Sequence, residues 1–572
     1  MISDSTPRKA ISRRIFLQRI GLAGLGTLVL GACSDKREDG AATTLDRTIG
    51  LGPDGSLLGG PGEPYAVRTE LGEAQSGRDG RRRSLIAFHH LSDFRITDEE
   101  SPARAEWQAG CSPPVAGAFR PQESLSVQAA EALIGRANEL SRSPATGRSI
   151  DFAIHTGNSA DNAQFNELRW FIDMMDGKPV YPDSGAIGYQ GVQTESPAPN
   201  YGDLLKQAQL PFNPVGLKYP WYAVQGNRDI LVHGAAAPGD RATRIATGAQ
   251  KIMILGPDAL VEACEGSQTL LGPDSSPTVL NDPLTVVRSV GKDGNRRFLA
   301  AADWLAEHFG TADAPGPAGH GFSPDSVATG AAYYAFDRGA VSVIVLNTVN
   351  PAGFAGGSID EPQFLWLEQE LIARSGVYFD AAGAQVNTEN LDRLIIVATH
   401  HPSDALNNPF PGPNAEERRY QGPDLEALLH RFPNVVLHIA GHTLEHRVVP
   451  RPFSGDTTRA YWEITTGSPS YWPMQGRLIE IADNRDGTLS IISTVYDSAA
   501  PINPGDAEDP TPDDKQNQRL LASVARQAAA RDPARDGAPG LAASDRNAEL
   551  LIRVSLDTAT LPTATATPRE AP

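Results

Sequence analysis

The chain has 572 residues and carries 50 Lys and Arg against 69 Asp and Glu, a formal net charge of −19 at pH 7. That acidity excludes a non-specific nucleic-acid platform, which needs a basic surface, but leaves room for a small cationic pocket. Hydrophobic residues at 40% supply a sizeable core, while 55 Gly and 45 Pro imply long loops, and the length suits a large α/β protein with insertions.

The first 33 residues read as an export signal. Ser12-Arg13-Arg14-Ile15-Phe16-Leu17 follows the twin-arginine pattern S-R-R-x-F-L, and residues 20–32 form a Gly- and Leu-rich apolar run too short for a membrane span. Leu30-Gly31-Ala32-Cys33 then resembles a lipobox, with Cys33 as the lipidation site; a plain cleaved signal is the alternative. The expected partners are the twin-arginine export machinery and a membrane surface. The expected location is the cell envelope, either periplasmic or membrane-anchored. The other cysteines, Cys111 and Cys264, sit in no C-x-x-C, and nothing in the sequence brings them together.

Residues 34–82, rich in Gly, Asp and Thr, read as a flexible tether. The folded body is expected over 83–500, with a helical extension at 501–557 and a disordered Thr/Ala/Pro tail at 558–572. Apolar periodicity predicts helices over 122–141, 166–175, 361–373 and 514–531, and strands over 341–346, 461–464, 477–481 and 488–495. Alternating strands and helices indicate parallel crossovers and an α/β sandwich.

Five further apolar runs, at 85–88, 152–154, 221–224, 394–398 and 435–439, each precede a polar cluster. These are Ser92-Asp93-Phe94-Arg95, Gly157-Asn158-Ser159-Ala160-Asp161-Asn162, Gly226-Asn227-Arg228-Asp229, His400-His401-Pro402 and Gly441-His442-Thr443-Leu444. Strands that deliver Asp, Asn and His to one sheet rim assemble an oxygen- and nitrogen-rich metal site. Taken singly, each cluster is a turn or a cap; five in order, each after a strand, point to one site. His89, His90, His155 and His438 lie within strands and read as core residues.

In order and spacing the clusters resemble the calcineurin-like metallophosphoesterase superfamily, whose motifs read D-x-H, G-D-x-x-D, G-N-H-[DE], H and G-H-x-H. The resemblance extends to a subgroup of exported bacterial members with long inserts. It implies a four-layer α/β/β/α sandwich with a long insert, about 234–330, between the third and fourth motifs. It also implies hydrolysis of phosphate mono- or diesters of a phosphorylated small molecule at a divalent-metal centre of Fe, Mn or Zn. Carried over by position, Asp93, Asn158, Asn227, His400 and His442 are the metal set, with Asn158 offering its carbonyl oxygen where the superfamily has a bridging Asp. His400 is preferred to His401. Arg95 and Leu444 stand where ligand histidines are expected, and Arg228 where a phosphate-orienting His is expected; Asp229 ends the third motif. His446 reads as a surface residue rather than a replacement ligand.

One half of the centre has therefore lost its ligands, so one ion is expected rather than two. Arg95 and Arg228 would supply fixed positive charge in its place, with Arg95, Arg228 and Asp229 as the catalytic set. The alternative is a catalytically inactive envelope lipoprotein of the same fold that binds a phosphate ligand.

Overall fold

The structure is a computed structural model that describes residues 43–112, 118–193, 203–265, 283–310, 315–412, 416–504, 514–532 and 542–562. The export signal with Cys33, and the tail beyond 562, lie outside the described residues.

Thirteen strands build two central sheets: β1 (Ala66–Leu71), β2 (Arg83–Leu91), β3 (Phe152–His155), β4 (Trp221–Ala223), β5 (Tyr334–Arg338), β6 (Val341–Val345), β7 (Leu394–Ala398), β8 (Val435–Ala440), β9 (Arg447–Arg451), β10 (Tyr461–Thr465), β11 (Gln475–Asp483), β12 (Thr488–Asp497) and β13 (Ala548–Arg553). The first sheet runs β1-β13-β12-β11-β2-β3-β4 and the second β9-β10-β8-β7-β6-β5. In the first, β2, β3 and β4 are mutually parallel. In the second, β6, β7, β8 and β10 are parallel. Their sequences are nearly unbroken apolar runs, as in Leu394-Ile395-Ile396-Val397-Ala398, because both faces of each sheet are covered.

Alternation sorts those side chains between two cores. Ile396, Ala398, Leu437 and Ile439 point into the space shared with Phe88, Phe152 and Ile479 of the first sheet. The Phe152 ring meets Phe336 of β5 edge-on at 5.5 Å, and Tyr222 of β4 stacks on Phe336 at 3.7 Å, so the sheets pack face to face. Ile395 and Val397 point the other way, onto α3 (Glu361–Ala373) and α4 (Gly422–Leu429) through Leu367, Leu371, Leu425 and Leu429. On the far side of the first sheet lie α1 (Ser126–Glu139) and α2 (Phe165–Met175), which bury Leu133, Ile134, Leu168 and Phe171. The layers are α/β/β/α, as the sequence reading expects.

Two expectations about the chain ends need correction. From residue 43 the expected tether is folded: Arg47–Leu51 and Leu57–Pro61 form a hairpin, and β1 pairs with β13 in the first sheet. The expected helical extension does contain a helix, α5 (Asp514–Ala530), packed on α1, but it ends in β13, whose Leu550, Leu551 and Ile552 are core residues. The two termini thus close one sheet edge together.

Within the expected insert lie short helices and the hairpin Gln250–Ile254/Val286–Ser289. Cys111 and Cys264 form a disulfide that joins the loop after the first motif to the insert helix Pro257–Glu265, beside a small cluster of Trp107, Leu255 and Ala259.

Candidate functional site

The parallel strands of both sheets end at one rim, where the five polar clusters meet. Two of the glycines that precede ligand positions are there for close approach. A Cβ on Gly226 would lie 2.3 Å from Asn158 Oδ1, and one on Gly441 would lie 2.0 Å from Ser92 Oγ.

His400, fully buried, is the centre of the constellation. Its Nδ1–H donates to the Thr156 carbonyl at 2.8 Å, so the lone pair is on Nε2. Around Nε2 stand Asn227 Oδ1 at 3.0 Å, Asn158 Nδ2 at 3.2 Å and His442 Nδ1 at 3.3 Å. The Asn227 amide is fixed, because its Nδ2 donates to the Gly234 carbonyl at 2.8 Å, which turns Oδ1 toward His400. Burial holds the His400 imidazole below its ordinary value, with Asp93 opposing, so two acceptor lone pairs face each other. Such a pair fits a shared cation: at a metal–donor distance of about 2.1 Å, neighbouring donors lie roughly 3 Å apart. His442 completes the set. Burial, then the neighbouring His400, pushes its imidazole down to about 3, and its backbone N–H, at a strained φ of 67°, is held by Asp93 Oδ2 at 2.8 Å. Asn227, His400 and His442 therefore fit one N/O-ligated ion with open positions.

Asn158 enters this cluster differently from the expectation. Its Oδ1 accepts the Arg228 backbone N–H at 2.7 Å, and a backbone N–H can only donate, so the amide orientation is set. Its NH2 group then faces inward, to Asp93 Oδ1 at 3.0 Å and to His400 Nε2. The expected carbonyl ligand is thus turned away, and an amide donor occupies the bridging position. Asp93 is inside the cluster, with Oδ2 accepting from Ser92 Oγ at 2.8 Å. Burial would raise its carboxyl, but His400, Arg95, Ser92 and His442 together keep it below the usual range.

Beside this cluster several guanidinium groups gather. Buried Asp161 meets Arg120 at 2.9 Å, Arg104 and Arg228 at 3.3 Å and Arg95 at 3.9 Å. Burial alone would raise the Asp161 carboxyl, but these four arginines hold it well below its ordinary value. Arg95 Nη1 donates to the Tyr471 hydroxyl at 2.5 Å, and Arg120 Nη1 reaches the same oxygen at 3.3 Å. Arg95 Nε, 3.8 Å from Asp93 Oδ1, has no hydrogen-bond partner. Burial and the adjacent Arg95 push Arg228 down to about 10, so it stays charged at neutral pH. This part of the rim is rich in arginine within an acidic chain.

Two residues have other roles than expected. Asp229 is fully buried and spends both oxygens on backbone N–H groups of Ser159, Ala160 and Gly226 at 2.8–3.0 Å. It braces the second and third motif loops. Burial pushes its carboxyl up to about 7. His446 is buried rather than at the surface, and its Nδ1 accepts from Arg477 Nη2 at 3.0 Å. His400, His401 and His442 form the one His/Cys/Asp/Glu group close enough to hold an ion among the described residues, with ligand atoms within 4.8 Å of one another. His401, however, has both nitrogens engaged, Nδ1 by Thr348 Oγ1 at 2.8 Å and Nε2 by the Ala355 carbonyl at 3.0 Å. Tyr471, Arg104 and Arg120 were not foreseen. The polar run Ser468-Pro469-Ser470-Tyr471 after β10 was a signal of the same kind as the five clusters; the two arginines gave none.

No protein-family model matches this chain, and no curated protein matches it. Among solved structures it is similar to a dimetal phosphatase from Danio rerio, at 10% identity and a TM-score of 0.32, covering 73% of this chain and 100% of that one. It is also similar to purple acid phosphatase PPD1 from yellow lupin (Lupinus luteus) seeds, at 10% identity and a TM-score of 0.29, covering 77% and 55%. A third is GAP50, the anchor in the inner membrane complex of Plasmodium, at 11% identity and a TM-score of 0.26, covering 72% and 85%.

Two outcomes follow from this geometry. Asn158→Asp replaces an inward donor by a carboxylate oxygen, so calorimetric titration with Mn2+ or Zn2+ will show affinity about 10-fold or more tighter; unchanged affinity would mean the amide does not oppose a cation. Asp161→Asn leaves buried arginines without their counter-charge and will cost roughly 3–5 kcal/mol in urea unfolding at pH 7. Because the folded Asp161 carboxyl lies below its unfolded value of about 3.9, its stabilisation is complete above that pH and fades as pH falls through the lower folded value. The wild-type advantage over Asp161→Asn will therefore persist from pH 7 to pH 5 and shrink only below about pH 4.

Proposed function

We propose that this chain is an exported metallophosphoesterase-like hydrolase of phosphate mono- or diesters, working with one divalent ion of Fe, Mn or Zn. The observation that carries the reading is the approach of Asn227 Oδ1 at 3.0 Å and His442 Nδ1 at 3.3 Å to His400 Nε2, beside the largely buried Arg95 and Arg228. An ion held there would act as a Lewis acid and lower the pKa of a bound water. Arg95 and Arg228, with side chains 9% and 11% exposed, border the same centre and offer N–H donors to phosphate oxygens. Asp161 holds the Arg228 head group through Nη1, and Tyr471 holds that of Arg95, so both are positioned before substrate arrives. Arg228 stands where the resemblance expects a proton-donating His and keeps its proton near pH 7. The leaving oxygen must then depart with its charge or take a proton from solvent, which favours esters of acidic alcohols. The twin-arginine sequence and the lipobox at Cys33 support export and a membrane tether, and the Cys111–Cys264 disulfide suits an oxidising compartment.

A second reading, a non-catalytic phosphate-binding lipoprotein, is favoured by the Asn158 NH2 group, which satisfies His400 and Asp93 with no ion. Hydrolysis assays on aryl phosphate mono- and diesters separate the two. The hydrolase reading expects turnover that is lost on chelation and restored by metal, and a fall of roughly 10²–10³-fold in kcat/KM for Arg228→Ala. Phosphate binding without turnover in any metal form would establish the second reading instead.

A further inference from the structure

Phe354 and Phe410 are large apolar side chains about half exposed, at 51% and 52%, and they stack on each other at 5.0 Å. Neither is a loose surface residue. Phe354 is held at a φ of 66°, a conformation that bulky side chains avoid, by donating its backbone N–H to the Ala235 carbonyl at 2.6 Å. The two loops that carry the rings are riveted by buried asparagines. Asn350 Nδ2 donates to the Phe410 carbonyl at 2.9 Å, and Asn408 Nδ2 donates to the Gly353 carbonyl at 2.8 Å and the Gly356 carbonyl at 3.1 Å.

The Phe354 loop is anchored beside the ligand cluster, and the buried asparagines tie the Phe410 loop to it. Ala235, which holds Phe354, follows Gly234, whose carbonyl fixes the Asn227 amide. On the other side, the Ala355 carbonyl accepts from His401 Nε2, next to His400. A strained, hydrogen-bonded scaffold that leaves two rings in water is explained by what those rings bind. We infer that Phe354 and Phe410 form a stacking platform for an aromatic ring borne by the phosphate ligand, so that the substrate class is a phosphate ester carrying an aryl group or a nucleobase. This rests on the phosphate-binding reading above and adds what lies beyond the phosphate.

The test uses phosphonates, whose binding needs no turnover: methylphosphonate, cyclohexylmethylphosphonate and benzylphosphonate, titrated calorimetrically into the metal-loaded protein. Benzylphosphonate is expected to bind about 3- to 10-fold more tightly than the cyclohexylmethyl compound, a difference that reports a planar ring rather than apolar bulk. In Phe354→Leu/Phe410→Leu, which keeps apolar side chains, that preference should vanish while methylphosphonate affinity stays unchanged. Equal affinity for benzyl and cyclohexylmethyl compounds in the wild type, or a preference that survives in the double variant, would overturn the platform while leaving phosphate binding intact. Failure of all three to bind would instead overturn the phosphate reading, and the platform with it. Competition between adenosine monophosphate and phenyl phosphate then tells a nucleobase from a simple aryl ring.

Discussion

One side-chain amide holds the functional rim together. Asn158 takes the Arg228 backbone N–H on its oxygen and gives its two protons to Asp93 and His400, joining four of the five polar clusters across both sheets. A carboxylate there would present oxygens to two cations; the amide presents N–H groups, which repel a cation on the Asp93 side. The lone pairs left for an ion are those of Asn227 and His442, with that of His400 Nε2 once the ion takes the place of its Asn158 contact. In the proposed reading, the amide at 158 agrees with Arg95 and Leu444 at the positions where the resemblance expects ligand histidines, since each removes a reason for a second ion.

In the same proposed reading, arginine stands in for the charge of a second ion, at a structural cost. Four guanidinium groups around Asp161 must be held out of water, and an ion cluster of this kind stabilises only when its geometry is tight and its members are bonded. Asp229 provides part of the rigidity by binding three backbone N–H groups of two motif loops, and Tyr471 orients Arg95 and Arg120 through one hydroxyl. A fixed guanidinium differs from a metal ion in a way that matters for chemistry: it offers directional N–H donors and permanent charge, but does not activate water. Any hydrolysis therefore falls to the Asn227–His400–His442 side, while the arginine side binds and orients.

The parts of the fold that could be read in the sequence are those where burial leaves a simple pattern. Strands such as β7 and β8 are covered on both faces, so they appear as unbroken apolar runs, and the polar residues just after them mark the rim. The five clusters meet at one rim, and all five residues of the proposed metal set come together there. Side-chain orientation was not legible. Nothing in Gly157-Asn158 tells which end of the amide faces inward, because that is set by a backbone N–H on another loop. Arg104 and Arg120 lie in an aperiodic stretch before α1 and join the site only through the fold. The segment before residue 83 was read as a tether because β1 is a half-exposed edge strand, and its partner β13 comes from the far end of the chain.

The proposed function stands on one ion at Asn227, His400 and His442 beside the arginine cluster, and locating bound metal tests it most directly. Crystals loaded with Mn2+ or Zn2+ and measured at the metal edge should show one anomalous peak per chain, within about 2.0–2.2 Å of His400 Nε2, His442 Nδ1 and Asn227 Oδ1. A second peak beside Asp93 and Arg95, or no peak at the histidines at saturating metal, would contradict it.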